Sequence, residues 1–510
     1  MRVINLISNK LKNIFWILLV FNTNISNAQY IFTSPTQADN ILFPEGAVNA
    51  ATIDYAPFCG LCSSTSYQLT AIASDDGISN PFLTITDNGM PKGGCFLPIP
   101  PGSHPDVVIG NDFTTIGNYI VGVVYTDPLL HDVYYLTCSV TGQGTGTIIA
   151  APSSTPTLIS NGGGLVTEPS RIDIAAQYST PYTVGIPSLA TANIFIITWH
   201  ENGNGIFAYC YDLNATMPYP YTMLINNSTN VGWPDVAAVE VSPTTASFKI
   251  KGIFTYLESM PPLPFFGNAP VKIMQQEWIT TGGITTPFAL DILPNGVMSP
   301  PRIDAIDDYN YNTPAQAYYT VASANLVSCG GGFVPDIFVY NNFINSLTIP
   351  AFKDISIALN FSTFFGQINL SPSIACGPGP HYTVGYYTAP GNLITNYNTY
   401  FATEVSWNTG QPTTNDAYQI PLNPIAPSIP IYLTDMIALS ASCNNNNYGQ
   451  QYLNATWQNG LDFNKLTNTV NSYNFKTHTS GLAHLVSPNE KWTLGPIPAT
   501  DFINLYAPLN

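Results

Sequence analysis

An all-β repeat fold is predicted for this chain of 510 residues on three observations. The first is a recurring phrase: a turn residue, an acid and a small apolar run, as in Pro234-Asp235-Val236-Ala237-Ala238. The same pattern stands at His104-Pro105-Asp106-Val107-Val108, Ser170-Arg171-Ile172-Asp173-Ile174 and Pro301-Arg302-Ile303-Asp304-Ala305. It returns more loosely at Pro372-Ser373-Ile374-Ala375, Thr434-Asp435-Met436-Ile437 and Thr500-Asp501-Phe502-Ile503. The anchors at 105, 170, 234, 301, 372, 434 and 500 lie 65, 64, 67, 71, 62 and 66 residues apart, and a fixed period over most of a chain marks a repeat architecture. Second, apolar runs of strand length follow each anchor, separated by Gly, Asn and Pro, which end strands and make turns. Third, no segment keeps a 3.6-residue periodicity for three turns, so no helix is expected.

Residues 1–28 read as an export signal. Arg2, Lys10 and Lys12 form a basic region, Ile14 to Phe21 an apolar core, and Ser26-Asn27-Ala28 a small-residue cleavage site before Gln29. The core is too short to span a bilayer as a helix, and no later stretch is long and apolar enough to do so. The expected location is outside the cell or on its surface, with the periplasm as the alternative. Residues 29–64 form a Pro- and Asn-bearing lead-in, and residues 65–510 carry the repeats.

Tyr67 to Ile72 and Phe82 to Thr86 flank Asp75-Asp76-Gly77 and read as a hairpin. After Pro105 come strands at Val107 to Ile109, Tyr119 to Tyr125 and Val133 to Val140, with a fourth near Thr147 to Ala150. After Ser170 come Ile194 to Trp199, a turn at Glu201-Asn202-Gly203-Asn204-Gly205, and Ile206 to Tyr211. The later repeats copy this plan. Four short strands in about 65 residues suit a propeller blade with enlarged loops; an immunoglobulin-like unit needs about 100. A β-propeller is therefore expected, seven-bladed, with six-bladed as the alternative. The C-terminal strand Thr500 to Tyr506 would complete the blade of the N-terminal hairpin and close the ring, removing an open sheet edge. Thr52 to Ala56 is the competing source of that strand.

Charged residues are only 8% of the chain, and mean hydropathy is +0.11, which fits a rigid β-rich protein and excludes a disordered one. Cleavage after residue 28 leaves 10 basic against 30 acidic residues, a surface that repels nucleic acid. Eight cysteines in an exported chain permit disulfides. Cys59 and Cys62 form a CxxC without the second ligand pair a zinc site needs, so a local disulfide or buried thiols is the reading. Cys138 and Cys210 occupy similar strands of neighbouring repeats, a position that permits a cross-link.

In a blade whose strands alternate in direction, the loop entering the first strand and the turn between the second and third share a face. That face would gather Asp106, Asp235 and Asp435, from the recurring phrase, and the non-repeated Trp199-His200-Glu201. These are the ligand-binding candidates at the channel mouth, with an aromatic, a base and an acid together as in carbohydrate sites. A group repeated in most blades more often solves a repeated backbone problem, since Asp accepts turn N–H bonds and Arg pairs with a neighbouring Asp. Asp304, Asp307, Asp308 and Asn310 make an oxygen-rich run of the type calcium prefers; a solvated turn is the competing reading, and no other cofactor is expected. HExxH, GxSxG and a phosphate-binding Gly loop are absent from the sequence, and no catalytic residue is assigned.

Over about residues 65 to 510 the strand pattern resembles secreted bacterial β-propeller repeat proteins. The resemblance is to the fold alone; the leading functional expectation, from loops rich in Tyr, Asn and Trp that give stacking area and hydrogen bonds with little charge, is a non-catalytic binding or interaction module whose ligand is a glycan or a protein at the cell surface. The second reading is a carbohydrate-active hydrolase or lyase using Glu201 or channel Asp residues as acid and base. The third is a structural subunit that self-associates through the Pro-rich loop Met260 to Phe266.

Overall fold

A computed structural model of the chain describes residues 31–32, 36–37, 47–55, 67–87, 90–112, 118–142, 147–175, 194–212, 221–240, 249–258, 270–279, 283–284, 287–293, 299–306, 318–329, 332–343, 351–354, 368–376, 381–389, 399–408, 411–419, 437–443, 450–458, 470–478, 493–496 and 503–506. The described elements are all strands, and every pairing is antiparallel. The chain opens with β1 (Ile31–Phe32) and β2 (Thr36–Gln37). Seven consecutive sheets follow.

The first sheet is β3 (Ala47–Tyr55), β4 (Tyr67–Asp75), β5 (Phe82–Asp87) and β6 (Met90–Phe96). The second is β7 (Asp106–Asn111), β8 (Tyr119–Thr126), β9 (Val133–Thr141) and β10 (Ile149–Pro152), with β11 (Thr157–Leu158) also on β9. The third is β12 (Arg171–Ala175), β13 (Ile194–Glu201), β14 (Gly205–Asp212) and β15 (Tyr221–Asn226). The fourth is β16 (Val231–Glu240), β17 (Lys249–Glu258), β18 (Val271–Ile279) and β19 (Gly283–Ile284), with β20 (Phe288–Leu293) also on β18. The fifth is β21 (Arg302–Ile306), β22 (Tyr318–Cys329), β23 (Gly332–Phe343) and β24 (Ala351–Asp354). The sixth is β25 (Ile368–Cys376), β26 (His381–Ala389), β27 (Thr399–Asn408) and β28 (Gln411–Gln419). The seventh is β29 (Ile437–Cys443), β30 (Gln450–Gln458) and β31 (Val470–His478), completed on its outer edge by β1, with β2 also on β31. A separate hairpin joins β32 (Thr493–Pro496) to β33 (Ile503–Tyr506).

The arrangement is propeller-like. First strands of consecutive sheets lie beside one another in the order β3, β7, β12, β16, β21, β25, β29, and β29 lies beside β3. Strand parity explains the packing between sheets, because successive side chains leave a strand on opposite faces. Val107 and Ile109 join the core between the first and second sheets, and Val108 joins the core between the second and third. Second strands are covered on both faces, which is why they read as continuous apolar runs: all eight residues of β13 are buried. The outer strand β6 pairs as a strand only with β5 and is largely open to solvent.

Closure differs from the sequence expectation. The C-terminal strand β33 pairs with β32, and the first sheet takes its own first strand, β3, from the stretch read as a lead-in. The reason is local. Ala47–Tyr55 is built of small residues that fit the crowded centre, with Val48 packed on Ile72 and Ala438 and the Thr52 hydroxyl bonded to that of Ser440. The terminus that bridges the ends of the chain is the N-terminal one, with Ile31 opposite Lys476 and Thr36 opposite Ser472.

Deleting residues 29–40 should therefore strip the outer edge of the seventh sheet and lower the melting temperature by about 5 °C. Removing residues 499–510 should change it by less than about 2 °C. Differential scanning calorimetry of both truncations checks the pair; the reverse order would contradict the strand assignment.

Candidate functional site

The recurring acid is the starting point. It reaches forward to the backbone of the next sheet. Asp106 Oδ2 accepts from the Ile172 amide at 3.1 Å, Asp173 Oδ2 from Ala238 at 2.7 Å, and Asp235 Oδ2 from Ile303 at 3.0 Å. In the sixth sheet Ser373 Oγ accepts from Leu439 at 2.9 Å. Each spans 65 to 68 residues, one period of the repeat. A first strand pairs laterally only with its own second strand, so its other edge carries N–H groups that need acceptors near the centre. The acid supplies them.

Arginine stands where the acid would be in the third and fifth sheets. Asp106, Arg171, Asp235 and Arg302 thus alternate in sign through four successive sheets. Arg302 Nη1 lies 3.7 Å from Asp235 Oδ1, and the buried Arg171 feels both Asp106 and Asp235. Burial pushes the Asp106 carboxyl up, opposed by Arg171 and Arg302. Burial and then the charge of Arg171 bring Arg302 down to about 10, still charged at neutral pH. Two residues along each strand lie Asp173 and Asp304. Burial, and then the like charge of Asp304, hold the Asp173 carboxyl well above the usual range, although part of its side chain stays open.

The loops that enter the first strands are tied to the preceding sheet. Gly102 and His104 amides donate to the two carboxylate oxygens of Asp75, at 3.0 and 2.9 Å. Thr126 Oγ1 donates to Glu168 O at 2.9 Å and accepts from the Ser170 amide at 3.1 Å. His200 Nδ1 lies 3.3 Å from Glu168 Oε1, and Glu168 Oε2 accepts from the Trp233 amide. His104 and Trp233, each just before the Pro of the recurring phrase, have φ of 49° and 54°. Such left-handed geometry costs a non-glycine residue about 1–2 kcal/mol, and the carboxylate that takes its amide holds it there.

Trp199, His200 and Glu201 are all buried at the end of β13. Parity sends Trp199 into the core between the second and third sheets, stacked on Phe207 at 5.9 Å. Glu201 lies on that same side. Its Oε1 accepts from Trp199 Nε1 at 3.1 Å and Asn161 Nδ2 at 3.1 Å, and its Oε2 from Asn204 Nδ2 at 3.2 Å. His200 points the opposite way, toward Glu168. The stretch therefore serves as a clamp that fixes its hairpin and the 159–167 loop, where Asn202 N also donates to Leu165 O at 2.9 Å. Asp435, Asp307, Asp308 and Asn310 lie outside the described residues, as do Cys59, Cys62 and the loop from Met260 to Phe266. Asp304 lies half-buried on β21. Among the described residues no group of three or more His, Cys, Asp or Glu is placed to hold a metal ion, and no helix is long and apolar enough to cross a membrane.

One set of residues escaped the sequence reading. The turn after β4 exposes Ile78, the turn after β8 exposes Leu129 and Leu130, and the loop before β12 exposes Leu165, at 64, 81, 56 and 38%. Their backbones are fixed. Ile78 N donates to Asp76 Oδ1 at 2.8 Å, and Leu129 and Leu130 amides donate to Asp127 Oδ1 at 2.8 and 2.9 Å. The segments that carry Leu130 and Leu165 run side by side, since His131 O accepts from Val166 N at 2.9 Å and a Cβ on Gly164 would lie 3.2 Å from Leu130 O. Asp76 and Asp127 were readable as turn formers; that aliphatic tips would stay outside was not.

No protein-family profile matches the chain, and no curated protein matches it. Among solved structures, a polysaccharide lyase of family PL25, an ulvan lyase, is 8% identical with a TM-score of 0.41, over 86% of this chain and 95% of that one. A thermostable family-43 glycoside hydrolase is 8% identical with a TM-score of 0.28, over 61% of this chain and 93% of that one. The catalytic domain of a GH62 α-L-arabinofuranosidase from Coprinopsis cinerea is 9% identical with a TM-score of 0.28, over 63% and 99%.

The raised Asp173 carboxyl gives a signed prediction. A carboxyl that holds its proton more tightly folded than unfolded favours the fold below its ordinary pKa near 3.8; that contribution fades as pH rises from there through the folded value. Asp173→Asn keeps an oxygen for the Ala238 amide and does not titrate. The melting temperature of the variant minus that of the parent should grow from pH 4 to pH 7. A gap independent of pH would contradict the assignment.

Proposed function

We propose that this protein is an exported, seven-bladed β-propeller that acts as a non-catalytic interaction module outside the cell or on its surface. The seven consecutive sheets, with first strands neighbouring in cyclic order, support the blade count. The observation that carries the functional reading is the face bearing Ile78, Leu129, Leu130 and Leu165. Exposed aliphatic side chains on turns whose amides or carbonyls are already bonded form a preorganised apolar surface, which loses little entropy on binding. Among the described residues the exposed tips of this face are aliphatic and Trp199 is buried, which favours a protein or peptide ligand here over a glycan that stacks on aromatic rings. The acids of the recurring phrase are engaged in holding neighbouring sheets, which favours scaffold over catalysis.

One observation favours the second reading, a carbohydrate-active enzyme. Burial and then the like charge of Asp304 push the Asp173 carboxyl up, the direction a glycoside-cleaving general acid requires of one carboxyl in a pair.

Both readings meet one experiment. The purified mature protein is screened against a displayed random-peptide library and against a polysaccharide panel scored for binding and for new reducing ends. The leading reading expects enriched apolar peptides whose affinity falls at least tenfold in the triple variant Leu129→Ser, Leu130→Ser, Leu165→Ser, with the melting temperature held within about 2 °C. New reducing ends that disappear in Asp173→Asn would replace it with the enzyme reading. Peptide binding indifferent to the triple variant would remove this face as the site.

A further inference from the structure

Cys138 on β9 belongs to the core between the first and second sheets, and Cys95 on β6 packs against that core. The two thiols meet at this one core and lie close enough for each to shift the ionisation of the other. Cys210, the partner permitted by strand position alone, instead lies in the core between the third and fourth sheets. Both sides of the Cys95–Cys138 contact are held. Cys138 sits opposite Val121 and Pro152, and Cys95 opposite Leu83, all in regular strand pairing. The sheets touch here through backbone, with Ile148 N donating to Lys92 O at 3.2 Å. Gly93 makes that approach possible, since a Cβ there would lie 2.0 Å from Ile148 O. Both thiols are reduced in this structure.

We propose that Cys95 and Cys138 are a redox site that closes to a disulfide, covalently joining the first two sheets. The oxidant is a small or protein disulfide of the kind an oxidising compartment supplies. The half-buried Cys95 is the entry point. Its thiolate attacks the external disulfide, forming a mixed disulfide and releasing one thiol. Deprotonated Cys138 then attacks Cys95 Sγ, forming the internal bond and expelling the second thiol. The pair loses two electrons and two protons, and the external disulfide gains them. The Cys138 contact also lowers the Cys95 thiol toward ionisation, while the same contact and burial raise Cys138, which fits Cys95 as the first nucleophile.

The sequence makes the test direct. Lys92 and Arg171 are consecutive tryptic sites, so trypsin releases residues 93–171 as one peptide holding both cysteines and no other. The mature protein is incubated with oxidised glutathione, alkylated under denaturing conditions, digested and weighed. The expected peptide is about 2 Da lighter than the reduced form and takes two alkyl groups only after reduction. The oxidised protein should melt about 5 °C above the reduced one, and Cys95→Ser should abolish that difference. Two alkyl groups without reduction, a stable glutathione adduct on Cys95, or a linkage joining either cysteine to a third would each overturn the proposal. The mass measurement on the parent protein stands whether or not a Cys138 variant folds.

Discussion

The arrangement depends on a hydrogen bond between sheets: the side-chain oxygen of one first strand accepts from the backbone N–H of the next. Most other contact between packed sheets is apolar side-chain packing, which is strong but non-directional. A bond repeated at Asp106, Asp173, Asp235 and Ser373 adds direction and sets how far each strand slides past its neighbour. It also removes orphan amides from a crowded centre, where each would cost about 1–3 kcal/mol. The alternating Asp and Arg follow from the same need. Buried carboxylates at four successive positions would repel one another, and Arg171 and Arg302 cancel that repulsion while keeping the centre polar.

The outer ties apply the same chemistry at the loops. Asp75, Thr126 and Glu168 each fasten the chain entering the next sheet, and Glu201 fastens a hairpin and the loop beside it. Acids are few in this chain, and the described ones are largely used to fix backbone. That economy explains how a sequence with little charge holds long connections in place. It also leaves turns whose backbones are fixed, tipped by the exposed Ile78, Leu129, Leu130 and Leu165.

Much of this was legible in the sequence, because the repeat imposes the same physical demand every period. The recurring phrase marked the first strands of the second to fifth sheets, and a structural role for its acid was the stronger reading because it repeats. Second strands such as β8 and β13 stood out because both faces are covered and apolar residues dominate Tyr119–Thr126 and Ile194–Trp199. The first sheet's own first strand was obscured for the opposite reason: Ala47–Tyr55 is too small in side chain to show alternation. β1, two residues long, carries no pattern at all. At the candidate site the residue types of Trp199-His200-Glu201 suggested a ligand, and only strand parity reveals that Trp199 and Glu201 turn into one interface while His200 turns into the next. The apolar tips were hidden because adjacent leucines ordinarily signal a core.

Amide hydrogen exchange in Asp235→Ala tests the central bond most directly, since Asp235 is the acceptor for the Ile303 amide. The account predicts that protection at Ile303 falls at least tenfold while amides within the third sheet, such as Ile196 and Ile197, keep theirs. Unchanged protection at Ile303 would show that the recurring acid does not hold neighbouring sheets together, and would return it to the list of ligand-binding groups.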